Sequence, residues 1–300
     1  RKAMKITNKY NLPAPIVSAV SSGARKPIAG RISVTELIAP PRIRVLKMRH
    51  WDTLEEDASD RIWALLGSAV HGVLEKADTA SHYAEERIDT MIGTWTLTGQ
   101  PDLLDAEGCL DDYKVTSVFS FLLGAKKEWE AQLNCYAALY ELNDFAVKKL
   151  RIIAILRDWN AGKALNGGDY PAVPVLVKKI PLWPLHTRID YLTTRVKLHQ
   201  DAEEHGIIPD CTDEEVWARP TTWAVMKKGR KSAVRVFETE NMARKMAEDT
   251  GYEVIERKGG AIRCERYCPV RSFCERGMKE TTNAEPQKSG VNETQETITP

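Results

Sequence analysis

The chain has 300 residues, 43% of them hydrophobic and 28% charged, with a formal net charge of +1. That length and apolar content suffice for one large core, or for a core of roughly 200 residues with an appendage, and exclude a wholly disordered chain. No stretch approaches the roughly 18 apolar residues of a membrane span, and residues 1–10 lack the apolar block of a secretion signal, so a cytoplasmic protein without membrane contact is expected. The near-zero charge excludes little, because a neutral sum can conceal a basic face.

Residues 1–31 carry Pro13, Pro15, Gly23 and Pro27 with little periodicity and read as an extended lead-in. Ser33, with Glu36 three positions on, is a capping box that opens a short helix, and Pro40 and Pro41 end it. Ile62, Leu65, Leu66, Ala69, Val70, Val73 and Leu74 recur at helical spacing, predicting an amphipathic helix over 60–77 that carries Gly67 and His71. From 86 to 112 short apolar runs separated by Gly93, Gly99 and Gly108 predict strands. Helical spacing returns over 126–140, followed by strands over 150–156 and 173–180 and a helix over 188–202. This order predicts a mixed α/β core over residues 32–208. Residues 209–279 form a distinct polar, basic and cysteine-bearing region, and 280–300, rich in Thr, Glu, Asn and Gln, read as a disordered tail.

One hairpin concentrates the chemistry. Asp105-Ala106-Glu107-Gly108 is turn-rich, and a three-residue loop with Gly108 in the left-handed position pairs residue 105 with 109. Asp102 then stands opposite Asp112, with Cβ atoms roughly 5 Å apart, and Lys114 joins them two residues along while Asp111 points the other way. Two opposed carboxylates repel unless a cation lies between them, and hard oxygen ligands favour Mg²⁺ or Mn²⁺. Such an ion acidifies water and neutralises charge building on a phosphate, with the Lys114 ammonium orienting or deprotonating the water; phosphodiester hydrolysis is the chemistry that fits.

Pro101-Asp102 followed ten residues later by Asp112-Tyr113-Lys114 resembles the defining motif of the PD-(D/E)XK nuclease superfamily, in its RecB-like and phage-exonuclease branch. Gly67-Ser68-Ala69-Val70-His71 is similar to that branch's G-x-x-x-H helix, and Gln132 to Tyr136 to its Q-x-x-x-Y motif, so the resemblance covers 32–157. It implies a restriction-endonuclease-like mixed sheet flanked by helices, with Asp102, Asp112, the Tyr113 carbonyl and His71 around the metal. Lys114 would be the catalytic amine, and Gln132 and Tyr136 would touch the substrate. Glu85 and Glu86 compete for an additional acidic position. The resemblance also implies DNA as partner, an exonuclease-like role in end processing or recombination in a bacterial or phage-infected cell, and leaves open self-assembly or a recombination partner protein. A non-catalytic DNA-binding protein that keeps the fold is the alternative, against which the intact Asp, Asp and Lys speak; a zinc-dependent adaptor is another.

Cys264, Cys268 and Cys274 crowd into eleven of the chain's residues, and Cys211 in a polar loop completes a set of four soft ligands. Some RecB-like nucleases carry a four-cysteine iron–sulfur cluster, which this set resembles, although their first cysteine usually follows the N-terminal helix where this chain has Ala39-Pro40-Pro41. A [4Fe-4S] cluster and Zn²⁺ both stay open. Lys227, Lys228 and Arg230 in the run 227–231 have the charge of a phosphate-contacting loop, and Arg157-Asp158-Trp159 at a strand end could border a DNA groove.

Overall fold

The computed structural model describes residues 4–23, 25–77, 82–84, 87–122 and 127–283. The chain divides into two compact units, residues 1–210 and 211–300. In the first unit the elements are β1 (Lys5–Thr7), α1 (Ala14–Ser21), β2 (Arg31–Ser33), α2 (Val34–Leu37), α3 (Pro41–Arg49), β3 (Glu55–Asp57), α4 (Ile62–Lys76), β4 (His82–Ala84) and β5 (Ile88–Ile92). There follow β6 (Trp95–Gly99), β7 (Leu103–Asp105), β8 (Cys109–Thr116), α5 (Val118–Leu122), α6 (Lys127–Glu141), β9 (Lys149–Leu156), α7 (Ala161–Leu165), β10 (Val175–Ile180) and α8 (Leu185–Glu204). The fold is mixed α/β, with mixed sheets flanked by helices. The main sheet has the order β10-β9-β8-β7-β4, and in it β8 and β9 run parallel while the other pairs are antiparallel. A second sheet, β2-β6-β5, joins a parallel to an antiparallel pair, and β1 and β3 form a parallel pair.

Parallel strands need a crossover, and here α5 and α6 supply it between β8 and β9. Helix α6 is buried at every position from Leu133 to Tyr140 and packs with Leu97, Leu110, Ile152 and Ala154 in the principal core. Gly99 at the end of β6 makes this approach possible: a Cβ there would stand 2.4 Å from Leu139 Cδ2 and 3.0 Å from Tyr136 Cδ1. Arg44, almost fully buried, ties α3 to its neighbours by donating to Glu203 and Glu36 and to the Ile28 and Arg31 carbonyls.

Three local expectations need correction. The lead-in is not extended throughout, since it contains β1 and α1; Pro13 caps α1 and Pro15 lies in its first turn, where a missing N–H costs nothing. The capping box forms, with Ser33 Oγ accepting from the Glu36 N–H and the Glu36 carboxylate from the Ser33 N–H, each at 3.2 Å. Pro41, however, opens the next helix as well as following the first. Helix α4 forms within its expected range, yet none of its side chains is buried. The tail beyond residue 283 lies outside the described residues.

The second unit holds β11 (Ala218–Arg219), β12 (Thr222–Met226), β13 (Arg235–Phe237), α9 (Glu240–Thr250), β14 (Glu253–Arg257), β15 (Gly260–Ala261) and α10 (Glu275–Asn283). Strands β13-β12-β14 form an antiparallel sheet on which α9 closes a small core of Val225, Phe237 and Ala243. A separate cluster joins Val216, Ala261 and Cys264, with Cys211 packed against it. Between the two, β11 pairs with β15 through Ala218 with Ala261 and Arg219 with Gly260.

Substituting Gly99→Ala should lower unfolding stability by about 1–3 kcal/mol, because the added methyl would stand 2.4 Å from the fully buried Leu139 side chain, which must shift within the packed core. Gly67→Ala on α4, where a Cβ would have no neighbour within 4 Å, should raise it by a few tenths to about 1 kcal/mol. Urea denaturation of the two variants checks both signs.

Candidate active site

Strands β7 and β8 pair Leu103 with Asp111 and Leu104 with Leu110, so one further residue along the ladder sets Asp102 opposite Asp112. The turn is closed by the Asp105 carboxylate, which accepts from the Glu107 and Cys109 N–H groups at 3.0 and 2.8 Å, and by Gly108 at φ +83°. A side chain at Gly108 would be strained by that backbone and would stand 2.8 Å from the Ala146 carbonyl. Alternation sends Asp111 to the opposite face, where Arg151 donates two hydrogen bonds to it at 2.7 and 2.6 Å.

The other face gathers residues from three elements. Asp102 Oδ1 lies 2.9 Å from His71 Nδ1, presented by α4, and Oδ2 accepts from the Tyr113 N–H at 2.6 Å. Asp112 is buried, with Oδ2 2.5 Å from Lys114 Nζ in an ion pair; that oxygen has no aligned hydrogen bond. Lys114 Nζ donates to Gln132 Oε1 at 3.0 Å, and Gln132 Nε2 donates to the Tyr136 hydroxyl at 3.3 Å. Gln132 and Tyr136 are four apart on α6 and therefore share a face. Two runs of contacts result, one from His71 through Asp102 to the Tyr113 backbone and one from Asp112 through Lys114 and Gln132 to Tyr136. Glu85 and Glu86 lie outside the described residues.

Charge is held here against its preference. Burial pushes the Asp112 carboxyl up to about 6, and the Asp102 charge adds to the rise while Lys114 opposes it. The hydrogen bond to Asp102 raises the His71 imidazole above its usual range, more than burial lowers it. The two acids are therefore offset by Lys114, and the hydrogen bond to Asp102 shifts His71 in the direction that favours positive charge. Hard oxygens, one of them buried without an aligned donor, fit a divalent cation. Among the described residues no three His, Cys, Asp or Glu side chains are arranged as a ready-made metal cage. The carboxylates would thus need completion by a backbone carbonyl, by water, or by His71 turned from its bond to Asp102.

His71, Asp102 and Tyr136 line a cavity of about 600 Å³ that Arg25, Lys26, Lys47 and Arg87 also line. Arg87 donates to Gln100 at 3.1 Å, and Thr35 bonds the Tyr136 hydroxyl. Sequence reading missed these basic residues. They are scattered over sixty positions and gather only through the placement of α3 and the strands, so no local pattern marks them.

In the second unit Lys227, Lys228 and Arg230 lie on the exposed connection between β12 and β13, which turns at Gly229 with φ +85°. Lys227 Nζ stands 6.0 Å from the Tyr252 ring. Cys211, Cys264, Cys268 and Cys274 all belong to this unit and none of them is in a disulfide, and Arg276 donates to the Cys211 carbonyl at 3.0 Å. Burial raises Cys264 and Cys268, and neighbouring thiols add to it: Cys274 acts on Cys264, and both Cys264 and Cys274 act on Cys268. Cys109 and Cys135 are buried in the first unit, away from any such grouping.

No protein-family model and no curated protein sequence matches the chain. Among solved structures, a protein described as SSO0001 is similar over 62% of this chain and 84% of its own, at 17% identity and a TM-score of 0.43. An alkaline exonuclease, LHK-Exo, from Laribacter hongkongensis is similar over 59% of this chain and 91% of its own, at 10% identity and a TM-score of 0.38.

Proposed function

We infer that the protein is a divalent-metal-dependent deoxyribonuclease of PD-(D/E)XK type. The observation that carries this reading is the register of β7 with β8, which opposes Asp102 to a buried Asp112 and stations Lys114 against the latter. A purely structural hairpin gains nothing from a buried carboxylate raised toward neutrality. The expense is reasonable only where a ligand compensates it.

Asp102, Asp112 and the Tyr113 carbonyl would hold Mg²⁺ or Mn²⁺, with His71 available as a further ligand. When bound, the ion supplies Lewis acidity toward a phosphate oxygen and toward water. The chain's own residues do the positioning. Gln132 accepts from Lys114 and so aims the ammonium past Asp112, where it can orient an attacking water or, once neutral, take its proton. Tyr136 holds Gln132 in turn, and Thr35 holds Tyr136. The basic lining of the cavity beside Asp102 suits the phosphates of a DNA strand, and Lys227, Lys228 and Arg230 supply further phosphate-binding charge. Exonucleolytic action in end processing or recombination accords with the resemblance of the motifs. The four cysteines of the second unit do not form a metal cage as they stand; drawn together they would offer the soft sulfur donors that a [4Fe-4S] cluster, or Zn²⁺ as the competing occupant, requires.

Asp112→Asn removes a ligand at nearly constant volume and should abolish Mg²⁺-dependent cleavage of end-labelled linear DNA while sparing folding and DNA binding; cleavage that survives in the variant refutes the assignment. Without divalent ions the same substitution should raise the melting temperature at pH 8. The folded-state value near 6 exceeds the ordinary carboxylate value near 4, so ionisation of Asp112 opposes folding. The stability it withdraws grows as pH rises from about 4 to 6, and the gain on substitution should vanish below pH 4. Thermal melts at both pH values in chelator decide this. Purified without oxygen, the full chain should be brown and contain iron and sulfide; a colourless protein containing zinc selects the other occupant, and neither metal overturns the thiol site.

A further inference from the structure

Helix α4 reads Ile62-Trp63-Ala64-Leu65-Leu66 at its start, yet no side chain on it is buried, and Trp63 is 57% exposed. Together with Leu66 at 37% and Val73 at 68%, Trp63 leaves several apolar side chains of one helix in water, the kind of surface that interaction sites present. What covers it is indicated by Arg157, whose guanidinium lies over the Trp63 ring at 4.0 Å from its centroid. Among the described residues no acid forms an ion pair with Arg157, and its neighbour Asp158 is occupied in accepting from the Val118 N–H at 2.7 Å. An indole with a guanidinium over its ring, and no acid among the described residues to pair with that charge, complements a partner that is planar and anionic together. A nucleotide, with a π-face for the ring and a phosphate for the cation, has that combination.

The location agrees with that partner. The Arg157 N–H donates to the Thr116 carbonyl at 3.0 Å, so the pair stands at the C-terminal end of β8, two residues beyond Lys114. Trp63 and His71 are eight residues apart on one helix, roughly 12 Å along its axis, a span of a few nucleotides. Phe119, 69% exposed, follows directly on the residue that Asp158 anchors and adds a second aromatic surface at the same strand end.

We propose that Trp63 and Arg157 form a stacking platform for an unpaired base, which makes single-stranded DNA, or the frayed end of a duplex, the substrate engaged at this site. The proposal rests on the nuclease reading above and deepens it. A base within a duplex is already stacked on both faces and gains nothing from the indole, so the platform favours strands with free bases.

The test measures binding of a labelled single strand, the same strand with abasic sites, and a blunt duplex to full-length protein in the Asp112→Asn background, with cleavage followed separately in the otherwise native chain. Trp63→Ala should weaken single-strand binding by about fivefold to a hundredfold. Abasic substitution should weaken the Trp63-bearing protein by a similar factor and add little in Trp63→Ala. Trp63→Phe should restore most of the affinity, and duplex binding should change little. Equal losses on intact and abasic strands, or no loss at all, overturn the platform. A changed oligomeric state with unchanged strand affinity also overturns it and assigns the face to a second copy of the chain. If the native chain cleaves DNA while Trp63→Ala cleaves and binds every substrate equally well, only the platform fails; if the native chain neither binds nor cleaves DNA, the nuclease reading fails and the platform with it.

Discussion

A carboxylate taken out of water is the constraint around which the first unit is arranged. Asp112 lies in the middle of β8, flanked in the sheet by β7 and β9, and the carboxyl has been pushed toward neutrality by burial. Everything adjacent bears on that charge. Lys114 offsets it, Gln132 and Tyr136 fix Lys114, and Asp102, just before β7, opposes it while its hydrogen bond shifts His71 toward the cationic form. Asp111, one residue away, shows the contrasting solution: equally buried, it is matched by both nitrogens of the Arg151 fork. Neighbouring acids on one strand thus have opposite characters, one matched by a bidentate ion pair and one left with its carboxyl pushed toward neutrality by burial.

The network also depends on close packing at a distance from the acids. Gln132 and Tyr136 reach the hairpin because α6 lies hard against β6, an approach that a glycine at position 99 makes possible without displacing Leu139 or Tyr136. Arg44 fixes Glu36, and with it the turn of α2 from which Thr35 reaches Tyr136. Positioning of the Lys114 amine is therefore inherited from core geometry, which explains why so few of the residues responsible for it carry charge themselves.

Much of this was legible in the sequence. The loop Ala106-Glu107-Gly108 fixed the hairpin register because a left-handed glycine at its end leaves one way to pair 105 with 109, and the opposition of Asp102 to Asp112 followed from arithmetic. The spacing of Gln132 and Tyr136, the capping box at Ser33 and the apolar run of β9 are likewise local signals. What escaped was tertiary. The basic residues around the cavity come from positions 25 to 87 and share no pattern. Trp63 is not among the apolar positions that mark the helix over 60–77, and periodicity in any case reports a face without saying whether the protein itself covers it. Pro41 read as a stop when it also served as a start, since proline is equally suited to the first turn of a helix. Burial of a helix and direction of a proline boundary are decided by neighbours, and those lie far away in the chain.

The two-residue ladder between β11 and β15 has a consequence for how the second unit can vary. By pinning Ala218 beside Ala261 and Arg219 beside Gly260, it makes residues 220–259 a loop-out whose departure and return points coincide. That segment owns its apolar centre, distinct from the one containing Cys211 and Cys264. Such a graft can be shortened, exchanged or recharged without rerouting the backbone that carries the thiols. The basic tip between β12 and β13 can therefore be altered while the backbone that carries Cys211 and Cys264 keeps its course.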